Sequence, residues 1–243
     1  MVFAAGMGTR LQPLTNNCPK ALVELGGQTL LERTIERLKK AGVEEVVVNV
    51  HHFPDQIIGF IKNRNNFGIN ISVSDEREML LDTGGGLKKA QSFLQGNESF
   101  LICNVDLLAS INLCDLVEYH KKSGAMVTLV VRERNTSRYL LFDNNNNLVG
   151  WKNISSGVEK IVNPSADSFR PLAFSGIHVV SPEIFPLIDE EGKFSIIDLY
   201  LRLAHSQIIK GYFDESPFWM DLGKIEQMKE ALQLIQRIDL END

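Results

Sequence analysis

The chain is poor in the features that mark several classes of protein. Its 243 residues include only three cysteines, Cys18, Cys103 and Cys114, with no CxxC spacing. This odd and sparse set argues against a disulfide framework or a zinc site and is typical of a cytoplasmic protein. No apolar run approaches the ~20 residues that cross a bilayer, and residues 1–6 lack the basic flank and length of a signal peptide. We therefore expect a cytoplasmic protein without a membrane partner.

An excess of positive charge is also missing. There are 25 Lys and Arg residues against 31 Asp and Glu residues, which gives a formal net charge of −6. Nucleic-acid binding needs clustered cations, so this balance argues against such a partner. Hydrophobic residues make up 44% of the chain and charged residues 23%, the ordinary values of a globular protein. We expect one domain over residues 1–243, with two functional halves that meet near residue 110.

Apolar runs and helical patterns alternate along the first half. The predicted strands cover residues 2–5, 45–50, 69–73 and 100–105, and the predicted helices cover residues 29–40, a stretch after Pro54, and residues 85–94. This order predicts an α/β fold with a doubly wound, mostly parallel, Rossmann-like sheet. The second half predicts strands at 125–131 and 172–180, a hairpin at 139–151 and helices at 194–204 and 224–238, so it is irregular and rich in β-structure.

A long glycine-containing loop follows the first predicted strand. It reads Gly6-Met-Gly-Thr-Arg-Leu-Gln-Pro-Leu-Thr-Asn-Asn-Cys-Pro-Lys20. Gly6 and Gly8 let backbone N–H groups approach an anion, while Arg10 and Lys20 add two cations. The loop matches neither the Walker A motif nor the dinucleotide fingerprint, which needs a third glycine where Leu11 stands. A tight turn without a ligand is the alternative interpretation of the two glycines.

The complete pattern G-x-G-T-R-L-x-P-L-T-x4-K resembles the signature of the sugar-1-phosphate nucleotidylyltransferases. Four further segments resemble motifs of the same family: Leu81-Asp-Thr-Gly-Gly-Gly86, Asn104-Val-Asp106, Phe174-Ser-Gly-Ile177 and Trp219-Met-Asp-Leu-Gly223. The overall likeness is to short, single-domain uridylyl- and guanylyltransferases that use muramate, mannose or heptose phosphates. The resemblance implies a nucleotide-binding half over about residues 1–110 and a sugar-binding half over about residues 111–243.

The resemblance also implies an activity and a set of site residues. A nucleotidyl group would pass from UTP or GTP to a sugar-1-phosphate, with Mg²⁺ as cofactor and no covalent intermediate. Arg10 and Lys20 are the implied catalytic residues, and Asp106 and Asp221 the implied metal ligands. The implied nucleotide-binding residues are Ala5, Gly6, Met7, Gly8, Thr9, Arg10, Lys20, Thr83, Gly84 and Gly85. The implied sugar-phosphate-binding residues are Asn104, Lys152, Ser175 and Gly176.

The chemistry of the implied reaction suits a site without a general base. A sugar phosphate is already ionised near neutral pH because its second pKa is about 6. The obstacle is repulsion between two anions, which cations and a metal ion relieve. We expect N–H groups of Gly84, Gly85 and Gly86, at the start of a helix, to be available to the base or ribose.

Several alternatives stay open at this point. Asp106 is also suited to a helix cap, Asp221 to a turn, the three glycines to a hinge and Lys152 to a solvated hairpin. The surroundings of Lys152 differ from the family's Glu-Lys-Pro, and Arg138-Tyr-Leu140 lacks an acidic residue of some muramate enzymes. A nucleotide-binding sensor and a nicotinamide oxidoreductase are the competing functions. The sequence is compatible with a homodimer but does not require one.

Overall fold

The computed structural model describes residues 1–96, 98–162 and 168–242 and has an α/β fold. The strands are β1 (Val2–Phe3), β2 (Glu24–Leu25), β3 (Gln28–Thr29), β4 (Glu45–Val50), β5 (Asn70–Asp75), β6 (Phe100–Asn104), β7 (Leu107–Ala109), β8 (Val127–Arg132), β9 (Arg138–Phe142), β10 (Leu148–Asn153), β11 (Val158–Ile161), β12 (Arg170–Val180), β13 (Ile209–Phe213) and β14 (Trp219–Asp221). The helices are α1 (Leu30–Lys40), α2 (Pro54–Asn63), α3 (Asp82–Lys89), α4 (Gln91–Leu94), α5 (Leu113–Ser123), α6 (Ile196–Leu203) and α7 (Ile225–Asn242). In the described part of the chain, no helix has the length and apolar character needed to cross a membrane.

The chain forms two compact units that alternate along the sequence. The first contains Met1–Leu80, Cys103–Ser110 and Pro217–Asp243, and the second contains Leu81–Ile102 and Ile111–Ser216. The expected functional halves that meet near residue 110 stay a prediction, because the compact units follow a different division of the chain.

A parallel sheet is the centre of the first unit. Its strands lie in the order β6, β1, β4, β5, and all three neighbouring pairs are parallel. In β4, Val46, Val47, Val48 and Val50 are all buried, as is typical of a strand covered on both faces. The prediction of an α/β fold with a parallel sheet is confirmed. Because the carboxyl ends of parallel strands share one edge, the segments after β1, β4, β5 and β6 emerge at the same edge.

Helix α1 forms where the sequence supplies both a cap and an apolar face. The Thr29 hydroxyl accepts a hydrogen bond from the Glu32 N–H at 3.1 Å, which is half of a capping box. Leu31 and Ile35 are fully buried, and each such side chain stabilises the fold by about 1.5–3 kcal/mol relative to exposure. Gly42, with φ +83°, ends the helical turn in a conformation that favours glycine.

The second unit is mainly antiparallel. Within it the strands lie in the order β11, β10, β9, β12, β8, β13, and only the β8–β13 pair is parallel. The ladder between β12 and β8 shifts register between Phe174 and His178. This agrees with the expected irregular, β-rich second half.

Two helical features differ from the sequence-based expectations. Helix α5 was not predicted, although Asn112 caps its start and Gly124, with φ +62°, follows its end. The helix predicted over residues 85–94 begins earlier, at Asp82, and is divided into α3 and α4 at Ala90. Helix α3 therefore contains Asp82, Thr83 and Gly84 ahead of the predicted start, and because glycine is a poor helix former, packing rather than propensity determines this start.

The cap of α5 gives a test of this part of the fold. The Asn112 Oδ1 accepts hydrogen bonds from the N–H groups of Cys114 at 2.9 Å and Asp115 at 3.4 Å. Replacement Asn112→Ala should lower the free energy of unfolding by about 1 kcal/mol, measured by urea denaturation. Asn112→Asp keeps an acceptor and should retain most of the stability. An alanine variant as stable as the parent would contradict this role for the cap.

Candidate functional site

The segment after β1 forms an open loop anchored at a few buried points. Gly6 and Met7 are exposed, and Gly8 has φ +66°, a left-handed conformation that favours glycine. A Cβ at Gly8 would lie only 2.8 Å from the Thr15 Cγ2. The Thr15 hydroxyl donates to the Gly8 carbonyl at 2.8 Å. Position 8 therefore requires a glycine, because of both its backbone conformation and its close packing.

A buried pair of polar side chains, Asn49 and Glu76, stabilises the backbone just before this loop. Asn49, on β4, accepts the Ala4 N–H on Oδ1 at 2.7 Å and donates from Nδ2 to the Glu76 carboxyl group at 2.7 Å. Asn49 is 2% exposed and Glu76 is fully buried. Burying a carboxyl group is costly without hydrogen bonds, so the contact with Asn49 stabilises Glu76 in the core. The same Asn49 side chain holds the backbone of Ala4, just before the loop. Sequence reasoning missed this pair, and its only signal was a polar residue within the valine run of β4.

Lys20 and Asp106 form an ion pair. Lys20 ends the loop segment and begins a short 3₁₀ turn, Lys20–Leu22, whereas Asp106 lies just beyond β6. The ammonium group donates to the carboxylate Oδ2, and each side chain is only 13% exposed. The structure therefore brings one predicted catalytic residue together with one predicted metal ligand. Asn104, two residues before Asp106, pairs with Phe3 of β1 at the same sheet edge.

An antiparallel ribbon brings Asp221 to the same place. Strands β7 and β14 pair with Asp221 opposite Leu107, and the Leu222 N–H donates to the Asp106 carbonyl at 2.8 Å. One predicted metal ligand, Asp106, thus supplies the acceptor of this bond, and the other, Asp221, directly precedes its donor. The Asp221 Oδ1 also accepts the Gly223 N–H at 2.8 Å. The ribbon thus places two carboxylates on adjacent backbone segments that are 115 positions apart in the sequence.

Arg10 lies against the segment that follows Asp221. It belongs to a 3₁₀ turn, Thr9–Leu11, whose Leu11 side chain is fully buried, while Arg10 itself is exposed. Its guanidinium group is close to Gly223, because a Cβ built there would lie 2.7 Å from the Arg10 Nη2. The buried Leu11 thus anchors the turn, and the guanidinium of Arg10 reaches the ribbon.

Within the second unit, the predicted nucleotide-binding residues of α3 have structural partners. The Gly84 N–H donates to the Phe194 carbonyl at 2.9 Å, so the expectation of a free N–H group at Gly84 is wrong. Cβ atoms at Gly84 and Gly85 would collide with Phe194 and with the Gly192 carbonyl, respectively. The Thr83 hydroxyl accepts the Ile196 N–H at 3.0 Å. The glycines let α3 pack closely against the segment before α6.

The predicted sugar-phosphate residues of this unit lie on the antiparallel sheet. Lys152, on β10, pairs with Tyr139 of β9, and its Nζ lies 5.9 Å from the centre of the Tyr139 ring. Ser175 and Gly176 are buried in β12, where the register shifts, and Gly176 has φ +75°. The Arg134 guanidinium donates to the Phe174 carbonyl at 3.0 Å, next to this irregular stretch. Arg134 was not among the predicted residues.

Two groups that could suggest nucleophilic or acid–base chemistry are buried. Burial raises the pKa of the Cys103 thiol, which is 3% exposed. Burial also lowers the pKa of His178 to about 3, so its imidazole is neutral at physiological pH. A neutral thiol and an unprotonated buried imidazole fit core packing. This agrees with the sequence-based view that Cys103 is a small core residue.

Taken together, the first unit gathers Gly8, Arg10, Lys20, Asp106 and Asp221 at the carboxyl edge of its parallel sheet. In the described residues, no group of three or more His, Cys, Asp or Glu side chains is arranged to hold a metal ion. The two carboxylates are hard oxygen donors, which suit Mg²⁺ when water and phosphate oxygens complete its coordination. The residues therefore fit Mg²⁺ bound together with a phosphate ligand and do not form a closed protein cage.

Comparison with known proteins adds a family match. The model of the family described as "Nucleotidyl transferase" matches residues 1–237. The chain is 34% identical over 232 residues to the N-acetylmuramate alpha-1-phosphate uridylyltransferase of Caulobacter vibrioides, covering 92% of this chain and 90% of that protein. It is 30% identical over 227 residues to the mannose-1-phosphate guanyltransferase of Yarrowia lipolytica, covering 92% of this chain but 60% of that protein.

A solved structure shows the same fold. HddC from Yersinia pseudotuberculosis, complexed with GMP-PN, superimposes with a TM-score of 0.77 at 20% sequence identity. The match covers 96% of this chain and 97% of the other.

The hydrogen bonds of Asn49 predict a loss of stability when this residue is replaced, and Asn70 of the neighbouring strand β5 provides the control variant. Asn49→Ala removes a hydrogen-bond partner from both the Glu76 carboxyl group and the Ala4 N–H, and should lower the free energy of unfolding by about 3 kcal/mol. The side chain of Asn70 on β5 makes an exposed contact at 3.5 Å to Glu45, so Asn70→Ala should change the free energy of unfolding by less than about 0.5 kcal/mol. Urea denaturation of both variants measures the difference. Equal effects would contradict the supporting role of Asn49.

Proposed function

The chain belongs to the nucleotidyl transferase family, and from this premise we propose that it makes a nucleotide-diphospho-sugar. Its substrates are a nucleoside triphosphate and a sugar-1-phosphate, and its second product is pyrophosphate. The relatives described above are named for uridylyl and guanylyl transfer to sugar-1-phosphates. UTP and GTP are therefore the proposed nucleotide donors for this chain.

The observation that carries the proposal is the meeting of Lys20 with Asp106 beside the ribbon that holds Asp221. A lysine, two carboxylates and a glycine-containing loop with exposed residues share one edge of the parallel sheet. Such an edge is where open α/β sheets bind their ligands. The arrangement supplies positive charge for phosphates and oxygen donors for a metal ion within one compact unit.

The proposed reaction is a direct displacement at the α-phosphorus. An oxygen of the sugar phosphate attacks this atom, the new P–O bond forms, and the bond to the β-phosphate oxygen breaks to release pyrophosphate. Because the nucleophile is already an anion near neutral pH, no general base is needed. Catalysis then comes from positioning the two anionic substrates and neutralising their charge.

Arg10 and Lys20 are the proposed catalytic cations. Arg10 binds the β- and γ-phosphates as a planar fork and stabilises the departing pyrophosphate. Lys20 bridges the α-phosphate and the incoming sugar phosphate. At an effective dielectric of about 20, one charge at 4 Å contributes roughly 4 kcal/mol before desolvation. Ala5, Gly6, Met7, Gly8 and Thr9 line the phosphate loop between these cations and β1.

Asp106 and Asp221 are the proposed ligands of Mg²⁺. When bound, the ion neutralises phosphate charge and polarises the P–O bonds of the nucleotide. The two carboxylates would hold the ion, and Asp106 would then exchange its partner, because the Lys20 ammonium group donates to its Oδ2. Exchange of this kind leaves the ammonium group of Lys20 available to phosphate.

Further proposed contacts are those to the base, the ribose and the sugar phosphate. Thr83, Gly84 and Gly85 contact the base and ribose; for Gly84 this means its Cα or carbonyl, since its N–H is already bonded. Asn104, Lys152, Ser175 and Gly176 contact the sugar phosphate. The buried backbone of β12 around Gly176, with its positive φ, suits a sugar that approaches the main chain closely. A cytoplasmic location and a homodimer stay predictions.

The proposed activity is tested by pyrophosphate release. The purified protein is assayed with four nucleoside triphosphates against a panel of sugar-1-phosphates, with Mg²⁺ and with EDTA. We expect release with UTP or GTP only when a sugar-1-phosphate is present, and loss of activity in EDTA that Mg²⁺ restores. Release of pyrophosphate without a sugar phosphate, or no turnover with any pair, would contradict the proposal. The second result would favour a nucleotide-binding sensor.

The metal assignment has its own test. Asp106→Asn and Asp221→Asn keep size and polarity but remove the negative charge that attracts the cation. Each should lower kcat/KM by at least about 100-fold at saturating Mg²⁺. Asp115→Asn is the control, because Asp115 is an exposed residue in the first turn of α5, and this variant should leave kcat/KM unchanged. Normal turnover by Asp106→Asn would show that the ion is held elsewhere.

A further inference from the structure

Gly223 lies where two functional side chains meet. A Cβ built on this residue would lie 2.7 Å from the Arg10 Nη2, 3.2 Å from the Arg10 Cζ and 2.7 Å from the Asp221 Oδ1. Carbon and heteroatoms pack at about 3.5–4 Å, so the two approaches of 2.7 Å are too close for a real methyl group and the approach of 3.2 Å is tight. The guanidinium of Arg10 occupies the space that any side chain at position 223 would need.

The conformation of Gly223 does not explain why this residue is a glycine. Its φ is not among the positive values of the chain, so an alanine has no backbone strain there. The residue itself is buried, while Arg10 is exposed. Steric room for the neighbouring side chains is therefore the physical reason for glycine at this position.

Because Gly223 has no side chain, Arg10 can approach Asp221, and the two do not form an ion pair. The Arg10 Nη2 and the Asp221 Oδ1 each lie 2.7 Å from the place of a Cβ at position 223, yet among the described residues these two side chains make no ion pair at 4.0 Å or less. The Asp221 Oδ1 is instead held by the Gly223 N–H at 2.8 Å. The guanidinium of Arg10 and the carboxylate of Asp221 are thus close to each other, but they do not neutralise each other in an ion pair.

We propose that Gly223 is a positioning residue, whose missing side chain sets the place of the Arg10 guanidinium. This inference rests on the proposed function and extends it, because it assigns a task to a residue that binds no substrate. Through this spacing, the cation for the β- and γ-phosphates has a defined location relative to the carboxylate of Asp221. The atoms that an added methyl group would displace are the ends of side chains, so the backbone can stay in place.

This geometry separates binding from stability in the variant Gly223→Ala. We expect its Tm to change by less than about 3 °C, because no backbone atom has to move. Its affinity for UTP or GTP with Mg²⁺, measured by titration calorimetry without a sugar phosphate, should fall by at least about tenfold, because small misplacements of charged groups are costly. Gly59→Ala on α2 is the matched control: a Cβ there meets no atom within 4 Å, so affinity should be unchanged.

A double-mutant cycle shows whether Gly223 acts through Arg10. In the Arg10→Ala background the added methyl group has no guanidinium to displace, so Gly223→Ala should weaken triphosphate binding less than twofold. An equal loss in both backgrounds would mean that position 223 acts through Asp221 or the fold, and would overturn the inference. So would parental affinity in Gly223→Ala, or a larger fall in Tm. Failure of the parent protein to bind either triphosphate would instead contradict the proposed function, and this inference with it.

Discussion

The contact between Lys20 and Asp106 is the interaction around which the site of the first unit is arranged. Each side chain is only 13% exposed, so either charge alone would be poorly solvated. For the pair to form, the loop after β1 must return to the end of β6. Gly8 and Thr15 allow that return, and the ribbon of β7 and β14 holds the backbone of Asp106 from the other side.

The pairing also explains how an acidic protein accommodates polyanionic substrates. With a net charge of −6, the chain has no general attraction for phosphate. The two proposed catalytic cations, Arg10 and Lys20, lie on one loop, and Lys20 forms an ion pair with the carboxylate of Asp106. Under the proposed function, Lys20 pairs with phosphate and Asp106 with the divalent ion once the substrates bind. Each of these charges then has a partner of opposite sign both before and after binding.

Local patterns predicted the elements whose determinants lie close together in the sequence. The cap and apolar face of α1, the valine run of β4 and the loop from Gly6 to Lys20 are such cases. What the sequence could not reveal depends on contacts between distant segments. The Gly84 N–H is bonded to Phe194, Asn49 pairs with Glu76, and Gly223 makes room for Arg10, all through packing that no local periodicity encodes. Helix α5 is different, because its cap, Asn112, and the glycine that follows it, Gly124, are local signals in the sequence.

The most direct test is metal binding to the substrate-free protein with and without the cation of Lys20. Mn²⁺ shares the oxygen-ligand preference of Mg²⁺ and is measurable by electron paramagnetic resonance. If Lys20 and the ion compete for Asp106, Lys20→Met should bind Mn²⁺ about tenfold more tightly than the parent, since removing one nearby like charge is worth at least about 1.4 kcal/mol. Unchanged or weaker binding by Lys20→Met would contradict the account, because Asp106 would then not be the shared partner of lysine and metal.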